Sequence, residues 1–253
     1  MPWNPELYHR FESERSAPFD DVLKLVNIKP RLRVVDLGCG TGELTRRLAD
    51  ALPDSDVLGL DLSKEMLEKT KPYARPRLRF EQGDQAALTG EWDLIFSNAA
   101  LQWSNDHEAL IQNLFQHLEG GGQLVVQVPS NHNHISHQIY REIAAQAPYA
   151  RALNGFNRRS PVLLIDEYAA LLFRIHAQEI VVIEKVYPHV LEDSDAIVDW
   201  ISGTALVPYF ERLDDSMRLE FVDAIRRRMK RELPSSPVFY PFKRILFSAV
   251  KAR

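Results

Sequence analysis

A glycine-rich stretch near the start of the chain has the residue types and spacing of a ligand-binding turn. It reads D-L-G-C-G-T-G over residues 36–42, at the end of the apolar run Leu32–Leu37 and before a helix-forming segment that begins at Glu43. A buried strand, a turn of glycines and a helix N-terminus allow a nucleotide to approach the backbone closely. This turn is therefore the first candidate for a binding site.

The register of the glycines indicates which ligand the turn accepts. A dinucleotide fingerprint, G-x-G-x-x-G, requires its third glycine at position 43, where this chain has Glu43. Glu43 would oppose a pyrophosphate at the helix N-terminus, which disfavours a nicotinamide-dependent dehydrogenase. A ligand with an amino-acid tail and no phosphate fits better. S-adenosylmethionine is such a ligand, and Asp36 would place negative charge near its cationic ammonium and sulfonium.

Strand and helix signals alternate from residue 16 to residue 129 and become less regular in the second half of the chain. Parallel strands with right-handed crossovers and helices on both faces are therefore expected. The predicted strands are 32–37, 56–61, 78–84, 92–98, 123–128, 179–186 and 244–250. The predicted helices are 18–26, 44–52, 63–73, 106–118, 161–176, 193–201 and 214–232. Ser16 is the expected cap of the first helix, and Gly120–Gly122 are expected to end the helix that starts at Asp106.

Polar residues follow three further strands, at the edge of the sheet where ligands bind in open parallel sheets. Asp61 ends the second strand about 20 residues beyond the glycines, a spacing that suits a carboxylate accepting ribose hydroxyls. Gly83, Asp84 and Gln85 end the third strand, where Asp84 can accept a hydrogen bond from the adenine amine. Asn98 ends the fourth strand, which would pass beneath the sulfonium.

Each of these interpretations has an ordinary alternative. Asp61 would otherwise cap the next helix, although Ser63 already serves that purpose, and Asp84 would otherwise be a simple turn residue. Leu62 and Met66 are candidates to pack on the adenine face, or else belong to the helix core.

Length and composition limit the class of protein. The 253 residues suffice for one large domain or for a domain with a cap, and a net charge of −4 argues against generic nucleic-acid binding. The single cysteine, Cys39, excludes an intrachain disulfide and suits a reducing compartment. No secretory signal or membrane-spanning stretch is visible. We expect a cytoplasmic protein with neither nucleic-acid nor membrane partners, and the oligomeric state is left open.

The ordered motifs resemble those of the class I S-adenosylmethionine-dependent methyltransferases. They are D-L-G-C-G-T-G at 36–42, Asp61, the Gly83-Asp84 pair and Asn98. The resemblance covers nearly the whole chain. It implies a Rossmann-like α/β fold with a seven-stranded, mostly parallel sheet whose last strand runs antiparallel. It also implies S-adenosylmethionine as cofactor and S-adenosylhomocysteine as product.

Three segments carry a narrower resemblance, at 3–16, 96–107 and 199–209. They are similar to those of carboxyl methyltransferases that esterify trans-aconitate. This resemblance implies that Tyr8 and Arg15 lie on a segment that folds over the methionine end of the cofactor, with Arg15 paired to its carboxylate.

The domain organisation expected from these motifs is a single methyltransferase domain over 1–253. Residues 1–15 would form an N-terminal lid segment, and the less regular stretches 130–160 and 190–240 would form cap insertions that contact the substrate.

The expected reaction is an in-line displacement in which a substrate carboxylate takes the methyl group. A carboxylate is ionised at neutral pH, so we expect no catalytic general base. A small polycarboxylic acid needs cationic anchors for its non-reacting carboxylates. Arg244 ranks first because it begins the predicted last strand beside the aromatic run 239–242. Further cationic candidates are Arg151, Arg158, Arg159 and Lys243, and the predicted pocket walls are Trp103, Trp200 and Tyr209. For all of these, surface or packing roles stay open.

Two other features are weaker indications of function. His132, His134 and His137 lack the carboxylate or cysteine partners of a metal site, so we expect no metal. The basic run Arg226–Arg231 is flanked by acidic residues and is interpreted as a solvated helix face. That run nevertheless keeps open a methyltransferase for a malonyl group on an acyl carrier protein. A protein that binds S-adenosylmethionine without catalysis would carry the same cofactor motifs.

Overall fold

A computed structural model of the chain describes the backbone of residues 13–253 and the side chains from residue 17 onward. The strands are β1 (Arg33–Leu37), β2 (Asp56–Asp61), β3 (Leu78–Gln82), β4 (Trp92–Asn98), β5 (Leu118–Pro129), β6 (Gln178–Leu191) and β7 (Val238–Val250). The helices are α1 (Ser13–Leu23), α2 (Glu43–Ala51), α3 (Lys64–Glu68), α4 (His107–Gln116), α5 (Ile135–Ala144), α6 (Tyr149–Ala152), α7 (Ile165–Arg174), α8 (Ser194–Ser202), α9 (Val207–Phe210) and α10 (Asp215–Glu232).

All seven strands belong to one sheet with the order β3-β2-β1-β4-β5-β7-β6. The pairs β2–β3, β1–β2, β1–β4 and β4–β5 are parallel, whereas β7 runs antiparallel to β5. The predicted fold class, a Rossmann-like and mostly parallel sheet with an antiparallel last strand, is confirmed. Strand order reverses between β1 and β4, so the carboxyl ends of these two strands form the position at which such sheets bind ligands.

The described chain divides into two compact units. The sheet unit contains residues 17–129, 161–185 and 244–253, and the helical unit contains 130–160 and 186–243. In the sheet unit, both faces of the strands are buried. Val34 and Val35 are both buried, and as neighbours in a strand they point to opposite faces. Phe19 of α1 packs with Val34, whereas Leu114 of α4 and Leu171 of α7 pack in the cluster that contains Val35. Helices therefore cover both faces, as the strand–helix alternation predicted.

The helical unit has a separate aromatic core. Tyr209 of α9 stacks on Phe221 of α10 with 5.8 Å between ring centroids, and Trp200 of α8 lies edge-on to Tyr240. Helix α10 packs against both α8 and α5. No helix among the described residues is long and apolar enough to cross a membrane.

Several predicted boundaries differ from the observed ones, and three of them concern residues that the sequence analysis singled out. Gly120–Gly122 do not end a helix, because α4 stops at Gln116 and the glycines lie within β5. A Cβ at Gly122 would lie 2.9 Å from the carbonyl oxygens of Glu119 and Trp92, so close backbone approach explains this glycine. The last strand begins at Val238 and contains Pro241, a residue that normally argues against a strand. Helix α1 starts before Ser16 and runs through Pro18, so Ser16 is not its cap.

Candidate functional site

The glycine turn after β1 packs tightly against two neighbouring parts of the sheet unit. The amides of Gly38 and Cys39 both donate to the carbonyl of Leu60 at the end of β2, at 2.8 and 2.9 Å. Gly38 has φ +73°, and a Cβ there would lie 2.1 Å from the Cβ of Ala100, which follows β4. Only glycine satisfies both constraints, because other residues are strained at this φ and would overlap Ala100.

The next glycine of the turn faces open space and orients a carboxylate. No atom lies within 4 Å of a Cβ built on Gly40. Its amide donates to Oδ2 of Asp61 at 2.9 Å, and Oδ1 of Asp61 accepts the amide of Ser63 at the same distance. Because each carboxylate oxygen can accept more than one hydrogen bond, Asp61 retains acceptor capacity for ligand hydroxyls. The Ser63 hydroxyl caps α3 by accepting the amide of Met66, so Asp61 is not needed for that purpose.

Asp36 places a second carboxyl group beside the turn. It is 4% exposed and accepts a hydrogen bond of 2.6 Å from the Thr45 hydroxyl. Burial raises the pKa of Asp36 to about 7, the Thr45 hydrogen bond lowers it in part, and the negative charge of Asp61 raises it. A cationic ligand group would favour the ionised form of Asp36. Burial and the same two carboxylates raise the pKa of the Cys39 thiol, so this cysteine stays protonated at neutral pH.

The segment after β3 combines turn chemistry with exposed polar groups. Oδ1 of Asp84 accepts the amide of Ala86 at 2.8 Å and caps the short 3-10 helix Gln85–Ala87. The side chain of Gln85 donates to the Ser104 hydroxyl at 2.8 Å, and Gly83 links β3 to this turn. The turn role of Asp84 is therefore present in the structure, while its exposed carboxylate leaves the adenine contact as a prediction.

The end of β4 carries an unsatisfied buried acceptor. Oδ1 of Asn98 is buried and receives no hydrogen bond from any residue that the structure describes. The next residue, Ala99, has φ +56°, an uncommon conformation that is associated with functional sites. Buried polar atoms normally have partners, so a donor group of a ligand is a natural partner for Asn98. Together with the open side of Gly40 and the carboxylates of Asp36 and Asp61, this acceptor fits S-adenosylmethionine.

Three apolar candidates also lie on segments that follow these strands. Leu62, directly after β2, is 61% exposed, and Trp103, in the short helix after β4, is 46% exposed. Met66 lies on α3 and is partly buried. Tyr8 lies outside the described residues, and the side chain of Arg15 is likewise not described, so their predicted cofactor contacts stay predictions.

Arg244 does not occupy the position that the sequence indicated. It lies inside β7, downstream of Val238, rather than at the start of the strand. It is 5% exposed, and its Nη1 donates to Oε1 of Gln127 on β5 at 3.2 Å. Arg244 therefore bridges two strands of the sheet unit.

The two aromatic candidates of the helical unit are core residues. Trp200 packs between Tyr240 and Phe242. Tyr209 is fully buried, and its hydroxyl donates to Oδ1 of Asn157 at 2.9 Å and accepts the amide of Arg158 at 3.0 Å. Tyr209 thus holds the segment around residue 157 from the inside of the unit rather than forming an open wall.

A cavity of about 580 Å³ lies in the helical unit. The described residues that line it are polar or cationic apart from one glycine: His132, Arg141, Gly155, Asn157, Arg159 and Ser160. Arg159 belongs to the cationic residues that the sequence singled out, but Arg141 does not. Within the described part of the chain, there is no group of three or more His, Cys, Asp or Glu side chains that could hold a metal ion, either around His132, His134 and His137 or elsewhere.

The basic run of α10 is largely occupied by ion pairs within the helical unit. Arg226 contacts Asp199 at 2.6 Å and Asp195 at 3.5 Å. Arg228 contacts Glu232 at 2.8 Å and Glu142 at 3.9 Å. These pairs agree with the interpretation of residues 226–231 as a solvated helix face.

Comparison with known proteins identifies curated relatives along nearly the full chain. A family model described as "Methyltransferase domain" matches residues 34–122. A trans-aconitate 2-methyltransferase of Deinococcus radiodurans is 46% identical, and the match covers 99% of each chain. Relatives of the same name from Variovorax paradoxus and Paracidovorax citrulli are 38% and 40% identical, with 92% of this chain covered and 91% and 90% of theirs.

Solved structures share the fold at much lower sequence identity. The YcgJ protein of Bacillus subtilis is 14% identical with a TM-score of 0.61, covering 94% of this chain and 99% of that one. A phosphoethanolamine N-methyltransferase of Haemonchus contortus, solved with S-adenosyl-L-methionine, is 16% identical with a TM-score of 0.57, covering 93% and 52%. The full-length relatives and the shared fold together show that the chain belongs to the class I S-adenosylmethionine-dependent methyltransferases, in the group of the trans-aconitate 2-methyltransferases.

Proposed function

We propose that this protein uses S-adenosylmethionine to esterify one carboxylate of trans-aconitate. The observation that carries the proposal is the identity of 46% with a trans-aconitate 2-methyltransferase over 99% of both chains. The cofactor half is supported by geometry as well, because the open side of Gly40, the carboxylate of Asp61 and the buried acceptor of Asn98 all follow strands that neighbour one another.

When bound, S-adenosylmethionine supplies an activated methyl group and leaves as S-adenosylhomocysteine. The chain's own residues would hold it at the carboxyl ends of β1 to β4. Asp61, oriented by the amides of Gly40 and Ser63, would accept hydrogen bonds from ribose hydroxyls. Asp36 would provide negative charge close to the cationic amino-acid end, and Asp84 would contact the adenine.

The reaction requires the protein to align the substrate carboxylate with the methyl group rather than to transfer a proton. The carboxylates of trans-aconitate are ionised at neutral pH, so no general base has to act on the nucleophile. Fixing two reactants in line contributes up to roughly 7–11 kcal/mol toward the barrier. The residues that matter are therefore those that bind and orient the two ligands and exclude water from the reacting oxygen.

A methyl-transfer assay with labelled cofactor tests this function. The panel contains trans-aconitate, cis-aconitate, citrate and a malonyl-loaded acyl carrier protein. We expect a labelled monomethyl ester of trans-aconitate as the main product, identified by mass spectrometry. Label on the acyl carrier protein, or cofactor binding by calorimetry without any transfer, would contradict the proposal and favour the other two functions that the sequence left open.

A further inference from the structure

The cavity of the helical unit has the composition of a site for a multiply charged anion. Two of its lining side chains are the guanidinium groups of Arg141 and Arg159, and among residues 17–253 no aspartate or glutamate lines it. Its volume of about 580 Å³ suits a small organic molecule. Asn157 and Ser160 add hydrogen-bonding groups to the same lining.

Neither guanidinium is neutralised within the described part of the chain. Arg141 and Arg159 form no ion pair with any described carboxylate, in contrast to Arg226 and Arg228 on α10, which contact two each. Among the described residues, no carboxylate therefore competes with a ligand for these two guanidinium groups. Arginine binds carboxylates through two parallel hydrogen bonds, which makes it the preferred anchor for such ligands.

The backbone and the side chains around the cavity hold Arg141 in a defined orientation. Its Nη2 donates to the carbonyl of His132 at 2.8 Å, and its own carbonyl accepts the side chain of Asn157 at 2.9 Å. The second bond connects α5 to the segment 155–160. That segment is held in turn by the hydroxyl of Tyr209, which contacts Asn157.

The histidines near these arginines add no positive charge at neutral pH. His137 is partly buried, and desolvation, with smaller contributions from His134, Arg141 and His132, lowers its pKa to about 3. Burial also lowers the pKa of His134. Both rings stay neutral at physiological pH, so the two arginines supply the permanent charge.

We infer that this cavity is the subsite for the non-reacting carboxylates of the polycarboxylate substrate, with Arg141 and Arg159 as its anchors. The inference rests on the proposed function and goes beyond it by naming the residues that select a polyacid. It also replaces Arg244, which is bonded to Gln127 inside the sheet unit, as the first candidate for substrate recognition.

Direct binding tests the subsite without catalysis. Trans-aconitate is titrated by calorimetry into the protein saturated with S-adenosylhomocysteine, which prevents turnover. We expect Arg141→Gln and Arg159→Gln each to raise the Kd for trans-aconitate about tenfold to hundredfold, because each loses a charge-assisted contact. Arg227→Gln, which removes an exposed arginine of α10 that does not line the cavity, is the matched control and should leave the Kd unchanged.

The same variants distinguish a substrate anchor from other roles. Arg141→Gln and Arg159→Gln should raise the KM for trans-aconitate while the Kd for S-adenosylhomocysteine stays at the wild-type value. Lysine at either position should restore part of the loss, since it keeps the charge but not the paired hydrogen bonds. Weakened S-adenosylhomocysteine binding instead would overturn the inference, because the arginines would then serve the cofactor.

Failure of the inference and failure of the proposed function give different results. If the wild type binds and methylates trans-aconitate but Arg159→Gln does so equally well, only the subsite is wrong. Arg159 is exposed, so this variant is expected to fold even if Arg141→Gln does not. If the wild type neither binds nor methylates trans-aconitate, the proposed function and the subsite are both overturned.

Discussion

The cofactor edge of the sheet unit and the cavity of the helical unit are opposite in charge and in construction. At the sheet edge, Asp61 is a carboxylate held by the amides of Gly40 and Ser63, and Asp36 is a buried carboxyl group that a cation would help to ionise. In the cavity, Arg141 and Arg159 supply positive charge through long side chains. A reaction between a sulfonium cation and a polycarboxylate anion needs one environment of each kind.

This contrast also shows a difference between a site formed by a tightly packed backbone turn and a site formed by long side chains. In a turn with little freedom, such as Gly38 against Ala100, close contact determines which residue types fit. A guanidinium on a flexible stem accepts ligands of varied shape, and its role depends on which segments fold beside it. The first kind of site leaves a motif in the sequence, and the second does not.

The largest expected effect concerns the buried carboxyl group of Asp36 and the pH dependence of the free energy of unfolding. The folded pKa of Asp36 is about 7, above its unfolded value of 3.8, so the native state binds the extra proton between these values. Stability from this group is therefore complete below pH 3.8 and is lost as the pH rises toward 7, by about 4 kcal/mol. About 3 kcal/mol of this loss falls between pH 5 and pH 8. Asp36→Asn should abolish it, measured as the difference between urea-unfolding free energies at these two pH values.

A second variant sharpens the test of Asp36. Thr45→Val removes the hydrogen bond that partly lowers the pKa of Asp36, so the loss of stability should extend to higher pH than in the wild type. If the free energy of unfolding depends on pH in the same way in the wild type and in Asp36→Asn, ionisation of the buried Asp36 does not destabilise the protein. The cofactor edge would then not be poised for a cation in the way described above.

Two glycines with the same φ allow the packing density of the two regions to be compared. Gly38 and Gly155 both have φ +73°, but a Cβ at Gly38 meets Ala100 at 2.1 Å whereas a Cβ at Gly155 meets nothing within 4 Å. Gly38→Ala should therefore lower the free energy of unfolding by about 3 kcal/mol, from backbone strain and overpacking, and Gly155→Ala by about 1 kcal/mol, from strain alone. Thermal unfolding of the two variants measures the difference, and equal losses would contradict a tighter cofactor edge.

The sequence predicted the strand ends that carry Asp61 and Asn98 because their determinants are local. The apolar runs of β2 and β4 define both strands residue for residue, and the alternation of strands with helices places Asp61 and Asn98 at one edge. The sequence failed where backbone packing overrides local preference, at Gly122 between two carbonyl oxygens and at Pro241 within β7.

The cavity could not be predicted in the same way. Its arginines lie on α5 and on the irregular segment 155–160, and no periodicity relates the two. Arg159 stood out only as one of several cationic residues, and Arg141 offered no signal beyond its charge. Their common position depends on the hydrogen bond between Asn157 and the Arg141 carbonyl, a tertiary contact with no trace in residue spacing.

A smaller effect is expected from the carboxylate that is held by the turn. Asp61→Asn removes the negative charge of a side chain that accepts hydrogen bonds from the amides of Gly40 and Ser63. The substitution should also weaken the hydrogen bonds of residue 61 to ligand hydroxyls. We expect the Kd for S-adenosylhomocysteine to rise about tenfold to hundredfold, measured by calorimetry. Asp56→Asn, an exposed aspartate at the other end of β2, is the control and should bind as the wild type does. Unchanged affinity in Asp61→Asn would remove this residue from the cofactor site.

The smallest expected effect concerns the hydrogen bonds by which Tyr209 holds the segment 155–160 at the cavity. Tyr209→Phe removes the hydroxyl that contacts Asn157 and the amide of Arg158, so the segment that carries Arg159 loses two hydrogen bonds. We expect the KM for trans-aconitate to rise about threefold to tenfold, with stability reduced by about 1 kcal/mol. Tyr149→Phe removes a hydroxyl bonded to Glu220, away from that segment, and should lose comparable stability with the KM unchanged. If both variants change the KM equally, general loosening of the helical unit, and not the position of the 155–160 segment, governs substrate binding.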